Sequence, residues 1–229
     1  MEDINLNAVF ASGLINESLE TNYFTHFSEA GKVSTTADAA EWLITSVGTD
    51  TDPLVQDEAG GVMKWTTGTT AGNHICLARN AEVFKINANK PFLFATRVKF
   101  HSVTTADAFI GMCVNATAPY SSEPADGVFF RLDGDGNLDY KTISSGGSAN
   151  TTGDTGFDIV ADTWYVLSFL YKPTAKRLEF YVDYDLKIAK SQIATSIPTG
   201  VDLTIAYDIQ SNGAGEVFST DWCMVKSRF

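Results

Sequence analysis

Pro91-Phe92-Leu93-Phe94-Ala95-Thr96-Arg97-Val98-Lys99-Phe100 decides the fold class. Read with a period of two, Phe92, Phe94, Thr96, Val98 and Phe100 fall on one side. Arg97, Lys99 and the following His101 fall on the other. This is the pattern of a half-buried strand, because successive strand side chains point to opposite faces. It returns over residues 164–171 and 177–184, where Leu178, Phe180, Val182 and Tyr184 share a side. The connector Lys172-Pro173-Thr174-Ala175-Lys176 is turn-sized, so these two runs read as an antiparallel hairpin. A second hairpin rises over 128–132, turns at Asp133-Gly134-Asp135-Gly136-Asn137 and returns over 138–143. Its Asp-Gly pairs supply the positive φ angles that tight hairpins require.

Further strands are expected at residues 4–10, 41–46, 61–66, 73–86, 108–114, 202–209 and 221–226. Loops rich in Gly, Ser, Thr and Asn separate them, notably 144–156 and 211–215. Helical periodicity is confined to 36–43, one short helix with Thr35 as its cap. Short strands punctuated by turns indicate an all-β antiparallel sandwich, read as a single domain over residues 1–229. Residues 1–13 read either as an N-terminal arm or as an edge strand. The first and last strands are expected to lie near each other, since the ends of a domain tend to be close.

Composition fits that class. The chain of 229 residues is 44% hydrophobic and 12% aromatic, enough for a large core, which excludes global disorder. Its 28 acidic against 16 basic side chains give a net charge of −12. Phosphate surfaces would repel such a chain, so neither nucleic acid nor an anionic membrane is expected as a partner. The start Met1-Glu2-Asp3-Ile4-Asn5-Leu6 has neither the basic residues nor the apolar run of a signal peptide, so cytoplasmic synthesis is expected. Cys76, Cys113 and Cys223 are odd in number, far apart and each within an apolar stretch. They read as buried hydrophobes rather than as disulfide or zinc ligands.

The local motifs for chemistry are thin. A glucanase-type sandwich alternates acids along one strand as Glu-x-Asp-x-Glu, so that a nucleophile and an acid/base enter one cleft. The nearest stretches are Glu179-Phe180-Tyr181-Val182-Asp183, which lacks the middle acid, and Asp183-Tyr184-Asp185, which sits at an expected turn. His26, His74 and His101 stand apart from one another, with no G-x-S-x-G to pair with. No catalytic residue and no cofactor is therefore expected, and the chain reads as not an enzyme. Asp133, Asp135 and Asn137 resemble the opening of a calcium loop, but the downstream bidentate Glu is missing and a plain hairpin turn is favoured. Trp65 and Tyr120, with Trp42 and Tyr184 behind them, are the candidate glycan-stacking platforms; ordinary core placement is the competing reading.

The order of the pieces carries a resemblance. Residues 92–100, Phe109-Ile110-Gly111-Met112, residues 126–131, Asp162-Thr163-Trp164-Tyr165, Phe180-Tyr181-Val182-Asp183 and Asp221-Trp222-Cys223-Met224-Val225 follow one another as in concanavalin A-like lectin/glucanase jelly rolls of the laminin-G-like group. Trp42 and Gly60-Gly61-Val62 precede them, as in versions found among tailed-phage virion proteins, and the resemblance covers residues 40–229. It implies a non-enzymatic virion structural protein, a decoration or cement protein on the capsid exterior. The implied partners are capsid protein and copies of itself in a homo-oligomer. Within residues 1–13, Ile4, Leu6, Val9 and Phe10 are the candidate capsid or subunit contacts. The alternative is a carbohydrate-binding module for attachment to polysaccharide.

Overall fold

The computed structural model describes residues 20–27, 33–34, 41–48, 51–55, 61–114, 117–147, 149–191 and 196–227. The candidate contacts Ile4, Leu6, Val9 and Phe10, with the whole of 1–13, lie outside them. Every regular element among the described residues is a strand. In chain order they begin with β1 (Glu20–His26), β2 (Val33–Ser34), β3 (Trp42–Val47), β4 (Thr51–Val55), β5 (Met63–Thr66) and β6 (His74–Arg79). There follow β7 (Phe84–Lys85), β8 (Phe92–Phe100), β9 (Ala106–Cys113), β10 (Gly127–Asp133), β11 (Asn137–Ser144) and β12 (Ala149–Asp158). The last are β13 (Thr163–Lys172), β14 (Arg177–Val182), β15 (Asp185–Ser191), β16 (Asp202–Ser211) and β17 (Val217–Ser227).

The strands form two sheets. The first runs β15-β14-β13-β8-β17-β5-β4, with β1 added to β17; the second runs β12-β11-β10-β9-β16-β6-β3-β2, with β7 added to β16. Pairing is antiparallel throughout except β2 with β3. The alternation read from the sequence sets the layers. Phe92, Phe94, Val98 and Phe100 of β8 meet Ile110, Val128, Phe130 and Leu138 of the second sheet in the central core. Phe169, Phe180 and Tyr207 fill the same layer, and Phe94 stacks on Phe169 with centroids 5.0 Å apart. Each such ring removes apolar surface from water at roughly 25 cal/mol per Å², which makes this layer the main favourable term of folding.

Both expected hairpins are present. β10 and β11 close at Leu132 opposite Leu138, Gly134 and Gly136 take positive φ, and Asp135 accepts a hydrogen bond from the Asn137 amide at 2.9 Å. β13 and β14 close at Lys172 opposite Arg177. The Asp183-Tyr184 pair is itself a hairpin turn between β14 and β15. Both residues have positive φ, 48° and 70°, as a two-residue primed turn demands. Asp183 can occupy it because its backbone and carboxylate together engage the Val166 backbone. The first expected strand, 4–10, lies outside the described residues; within them, β1 pairs with β17.

Several expectations change. Trp42 and Leu43, claimed both by the helix over 36–43 and by the strand over 41–46, belong to the strand β3; residues 36–40 lie outside the described residues. β-branched and aromatic residues in Trp42-Leu43-Ile44-Thr45 suit a pleated surface better than a helix, and the pairing with β6 decides the matter. The single run over 73–86 is two strands, β6 and β7. Much of the 144–156 loop is β12, a polar strand at the end of its sheet that pairs with β11. β4 was also unforeseen; Pro53 is tolerated there because β4 ends its sheet.

Candidate functional site

The outer face of the second sheet carries the densest set of polar side chains. Strand register lines them up across four strands. His74 lies opposite Gln210, Gln210 opposite Asp107, and Asp107 opposite Asp133. One step along, Cys76, Asp208, Phe109, Arg131 and Asp139 form the adjacent row. Beneath the polar groups is a small apolar floor of Phe109, Phe129, Cys113, Ile143 and Ala206. Gly111 leaves room in that floor. A Cβ there would lie 2.5 Å from the Val128 carbonyl oxygen and 2.6 Å from the Phe129 Cα.

Tyr120 sits at the centre of this face, in the connection between β9 and β10. Asp208, 1% exposed, holds it there: one carboxylate oxygen accepts the Tyr120 amide at 3.0 Å, and the other contacts His74 Nδ1 at 3.1 Å. The Tyr120 hydroxyl donates to Asp133 at 2.9 Å, and the Arg131 guanidinium lies 4.4 Å from its ring centroid. Arg131 in turn bonds Asp133 at 2.5 Å and Glu123 at 3.1 Å, and Lys141 also donates to Glu123. Burial, then hydrogen bonding to Asp133, raises the Tyr120 phenol well above its usual pKa, so it is a donor at neutral pH. Burial also raises the Asp107 carboxyl, with the Asp133 charge adding to it, while the Tyr120 hydroxyl and the Arg131 charge pull the other way. Asp139 is raised likewise by burial and then by Asp133 and Asp154.

The sequence candidates separate clearly. Tyr120 is on this face, but one side of its ring is taken by Arg131 and the ring packs on the apolar floor. It therefore offers its rim and hydroxyl rather than an open stacking surface. Trp65 is a correction: it is fully buried, with its ring 4.8 Å from Phe218 and 6.4 Å from Tyr207, and cannot touch a glycan. Trp42 is buried in the same way. Strand alternation turns both inward, which residue type alone does not reveal. Asp133 is engaged by Arg131 and Tyr120, and Asp135 caps the hairpin turn. Among the described residues no group of three or more His, Cys, Asp or Glu could hold a metal ion. Glu179 is 1% exposed and bound by Lys172, Arg177 and Tyr181 on the first sheet; Asp183 is a turn residue. The three cysteines are buried, and none forms a disulfide.

Arg131, Asp107 and Asp208 escaped the sequence reading. Asp208 left a trace there, as the one charge within the apolar run Leu203-Thr204-Ile205-Ala206-Tyr207-Asp208-Ile209. Asp107 left none, because only register brings it beside Asp133.

Comparison with known proteins follows the same lines. The profile of the family described as SO2946-like, C-terminal domain, matches residues 58–219. No curated protein sequence matches this chain. Among solved structures, the SO2946 protein of Shewanella oneidensis MR-1 is similar with a TM-score of 0.61 at 15% identity, covering 98% of this chain and 94% of that one. An endo-1,3-beta-glucanase from Streptomyces sioyaensis has a TM-score of 0.64 at 12% identity, covering 93% and 98%. The Emp46p carbohydrate recognition domain in its potassium-bound form has a TM-score of 0.54 at 10% identity, covering 87% and 95%.

These likenesses establish the concanavalin A-like jelly-roll sandwich. They also overturn the expectation that the chain is not an enzyme. Its fold is shared with endo-1,3-beta-glucanases, and carboxylates on separate strands can meet on one face without any local motif. The capsid-exterior role has no counterpart in these relatives, whose names describe glucan hydrolysis and carbohydrate recognition.

Proposed function

The chain belongs to the family of SO2946-like C-terminal domains, and we propose that it binds a carbohydrate chain on the outer face of its second sheet. One observation carries this reading: the phenol–guanidinium–carboxylate array of Tyr120, Arg131, Asp133 and Asp107 above the Phe109–Phe129 floor. Sugar hydroxyls both donate and accept hydrogen bonds, and the array supplies donors and acceptors side by side on a rigid sheet. Arg131, Glu123 and Lys141 brace one another, so the polar groups are held before a ligand arrives, which lowers the ordering cost of binding. Carbohydrate recognition by the Emp46p domain and glucan hydrolysis by the Streptomyces enzyme support the choice of ligand class.

The test is a glycan array and affinity electrophoresis with the native protein and Tyr120→Ala. Binding that falls at least about tenfold in the variant, with thermal stability kept, supports the reading. Native-like binding by the variant, or no glycan bound by the native chain, defeats it.

A second reading, hydrolysis of the bound chain, draws on the direct opposition of Asp107 and Asp133. Opposed strand residues have Cβ atoms about 4.5–5.5 Å apart, and retaining glycosidases place their two carboxyl groups about 5–5.5 Å apart. A carboxyl lifted by burial is suited to donate a proton to a leaving oxygen, which is the role Asp107 would take. β-1,3-glucan is the first polymer to try. Release of reducing ends that Asp107→Asn abolishes supports hydrolysis; no release by the native protein retires it and leaves binding standing.

A further inference from the structure

The opposite side of the sandwich carries the reverse charge. On the outer face of the first sheet, Lys64 lies opposite Ser219, Ser219 opposite Lys99, and Lys99 opposite Trp164. Four adjacent strands thus set these side chains in one straight row, spanning about 14 Å at a strand spacing of roughly 4.8 Å. Arg97, two residues before Lys99 on β8, points the same way. We infer that this row of Lys64, Lys99 and Arg97 around Trp164 binds an acidic polysaccharide, its sugar carboxylates or sulfates lying along the cations.

Three observations carry the inference. The first is imbalance. In a chain with 28 acids and 16 bases, these three cations share one sheet face. Arg97 is matched by Asp221 at 2.7 Å, but among the described residues neither Lys64 nor Lys99 has a carboxylate partner. The second is restraint. The Arg97 guanidinium carbon lies 4.5 Å from the Trp164 ring centroid and the Lys99 ammonium 4.8 Å from it. Cation–π contacts at that range hold two long side chains that would otherwise have to be ordered when a ligand binds. The third is access, since Lys64, Arg97, Lys99 and Trp164 all keep part of their surface in water. The local field is felt nearby: burial holds His101 below its usual range, and the charges of Lys99 and Lys64 add to it against the opposing hydrogen bond and charge of Asp162, 2.7 Å away.

A sugar polymer suits the row better than a polyphosphate. Nucleic acid carries a charge at every nucleotide and would meet the net −12 of the whole chain along its length. A polysaccharide with one acid per sugar or per disaccharide can place its charges on the row and its neutral rings against the rim of Trp164.

The surface is separate from the Tyr120 face, so the two readings fail independently. The experiment measures binding of polygalacturonate (carboxylate only), dextran sulfate (sulfate only) and a single-stranded oligonucleotide at low and moderate salt. The proteins are the native chain, Lys64→Gln/Lys99→Gln, Trp164→Ala and Tyr120→Ala. Native protein is expected to bind at least one of the two acidic sugar polymers. The double lysine variant should bind about tenfold more weakly at low salt. Its dependence on salt should flatten by about one unit of log–log slope for each lysine removed. Trp164→Ala should weaken binding through loss of restraint, and Tyr120→Ala should leave it unchanged. Which polymer wins identifies the acid. Three outcomes overturn the inference: native-like binding by the double variant, no binding of either polymer by the native chain at low salt, or tighter binding of the oligonucleotide. Thermal unfolding at the native temperature in both first-sheet variants shows that the comparison is between folded proteins.

Discussion

Replacing Glu179 with Gln tests whether this acid is a structural tie. Its side chain is 1% exposed and is engaged by Lys172 at 2.7 Å, by Arg177 and by the Tyr181 hydroxyl. Burial alone would raise its carboxyl pKa, but the hydrogen bonds from Lys172 and Tyr181 and the Arg177 contact outweigh that and hold it below the usual carboxylate value. Because the folded pKa is depressed, the ionised form stabilises the fold. That contribution is complete above the unfolded value of about 4.3 and is lost as pH falls through the lower folded value. Breaking a buried pair costs about 3–5 kcal/mol, leaving the partner charges stranded. Here Lys172 and Arg177 are 37% and 36% exposed and can be rehydrated. Screening of that kind brings the expected loss to about 2 kcal/mol. For a chain of this length that lowers the Tm by about 4–8 °C near pH 7. Circular dichroism melts of native and Glu179→Gln protein at about pH 7 and about pH 3 measure it. The gap should narrow as pH falls toward the depressed folded value, because the native carboxylate then takes up its proton as well. Equal stability near pH 7, or a gap of the same size at both values, refutes the reasoning.

Two further outcomes follow from packing. Trp65→Ala should cost about 3–5 kcal/mol, because it empties a site walled by Phe218 and Tyr207; a near-native melting temperature would place Trp65 outside the core. Gly111→Ala should cost about 2 kcal/mol or more, since its new Cβ meets backbone atoms of Val128 and Phe129 that cannot turn aside. Urea unfolding measures it, and an unchanged midpoint would mean that β9 and β10 are not so close.

How much of this was legible in the sequence depends on what kind of signal each feature leaves. β8 and β14 were readable because large apolar residues recur at every second position, Phe92, Phe94, Val98 and Phe100 in one and Leu178, Phe180 and Val182 in the other, although most of their outward side chains are covered too. β12 was not, because Asn150-Thr151-Thr152-Gly153-Asp154 is a sheet-edge segment whose composition is that of a loop; only its bonds to β11 make it a strand. Aromatic type gave no direction: Trp65 and Tyr120 were equal as candidates until strand phase sent one into the core and loop geometry put the other on the surface. The polar face was hidden for a related reason. Asp107 and Asp133 belong to different strands, and a pairing shifted by one residue would put them on opposite faces. The row of Lys64, Ser219, Lys99 and Trp164 likewise comes from four strands far apart in the chain. A scan for local motifs passes over both.

β17 is the seam of the first sheet. It joins β8 on one side to β5 on the other and also receives β1, so until it is in place the sheet exists as three unconnected pieces, β15-β14-β13-β8, β5-β4 and β1. β13, β14 and β15 can assemble from short-range hairpins, but β8 joins them only by pairing Phe100 with Thr163 across a long stretch of chain; its other edge then stands open, and so does the edge of β5. Closing those edges requires loops between residues far apart in the chain, whose entropy must be overcome before the new contacts form. The rate-limiting event in folding should therefore be the insertion of β17. During synthesis both edges stay exposed until residues 217–227 have left the ribosome, and a chain stalled before that point would present two unpaired strands to its neighbours.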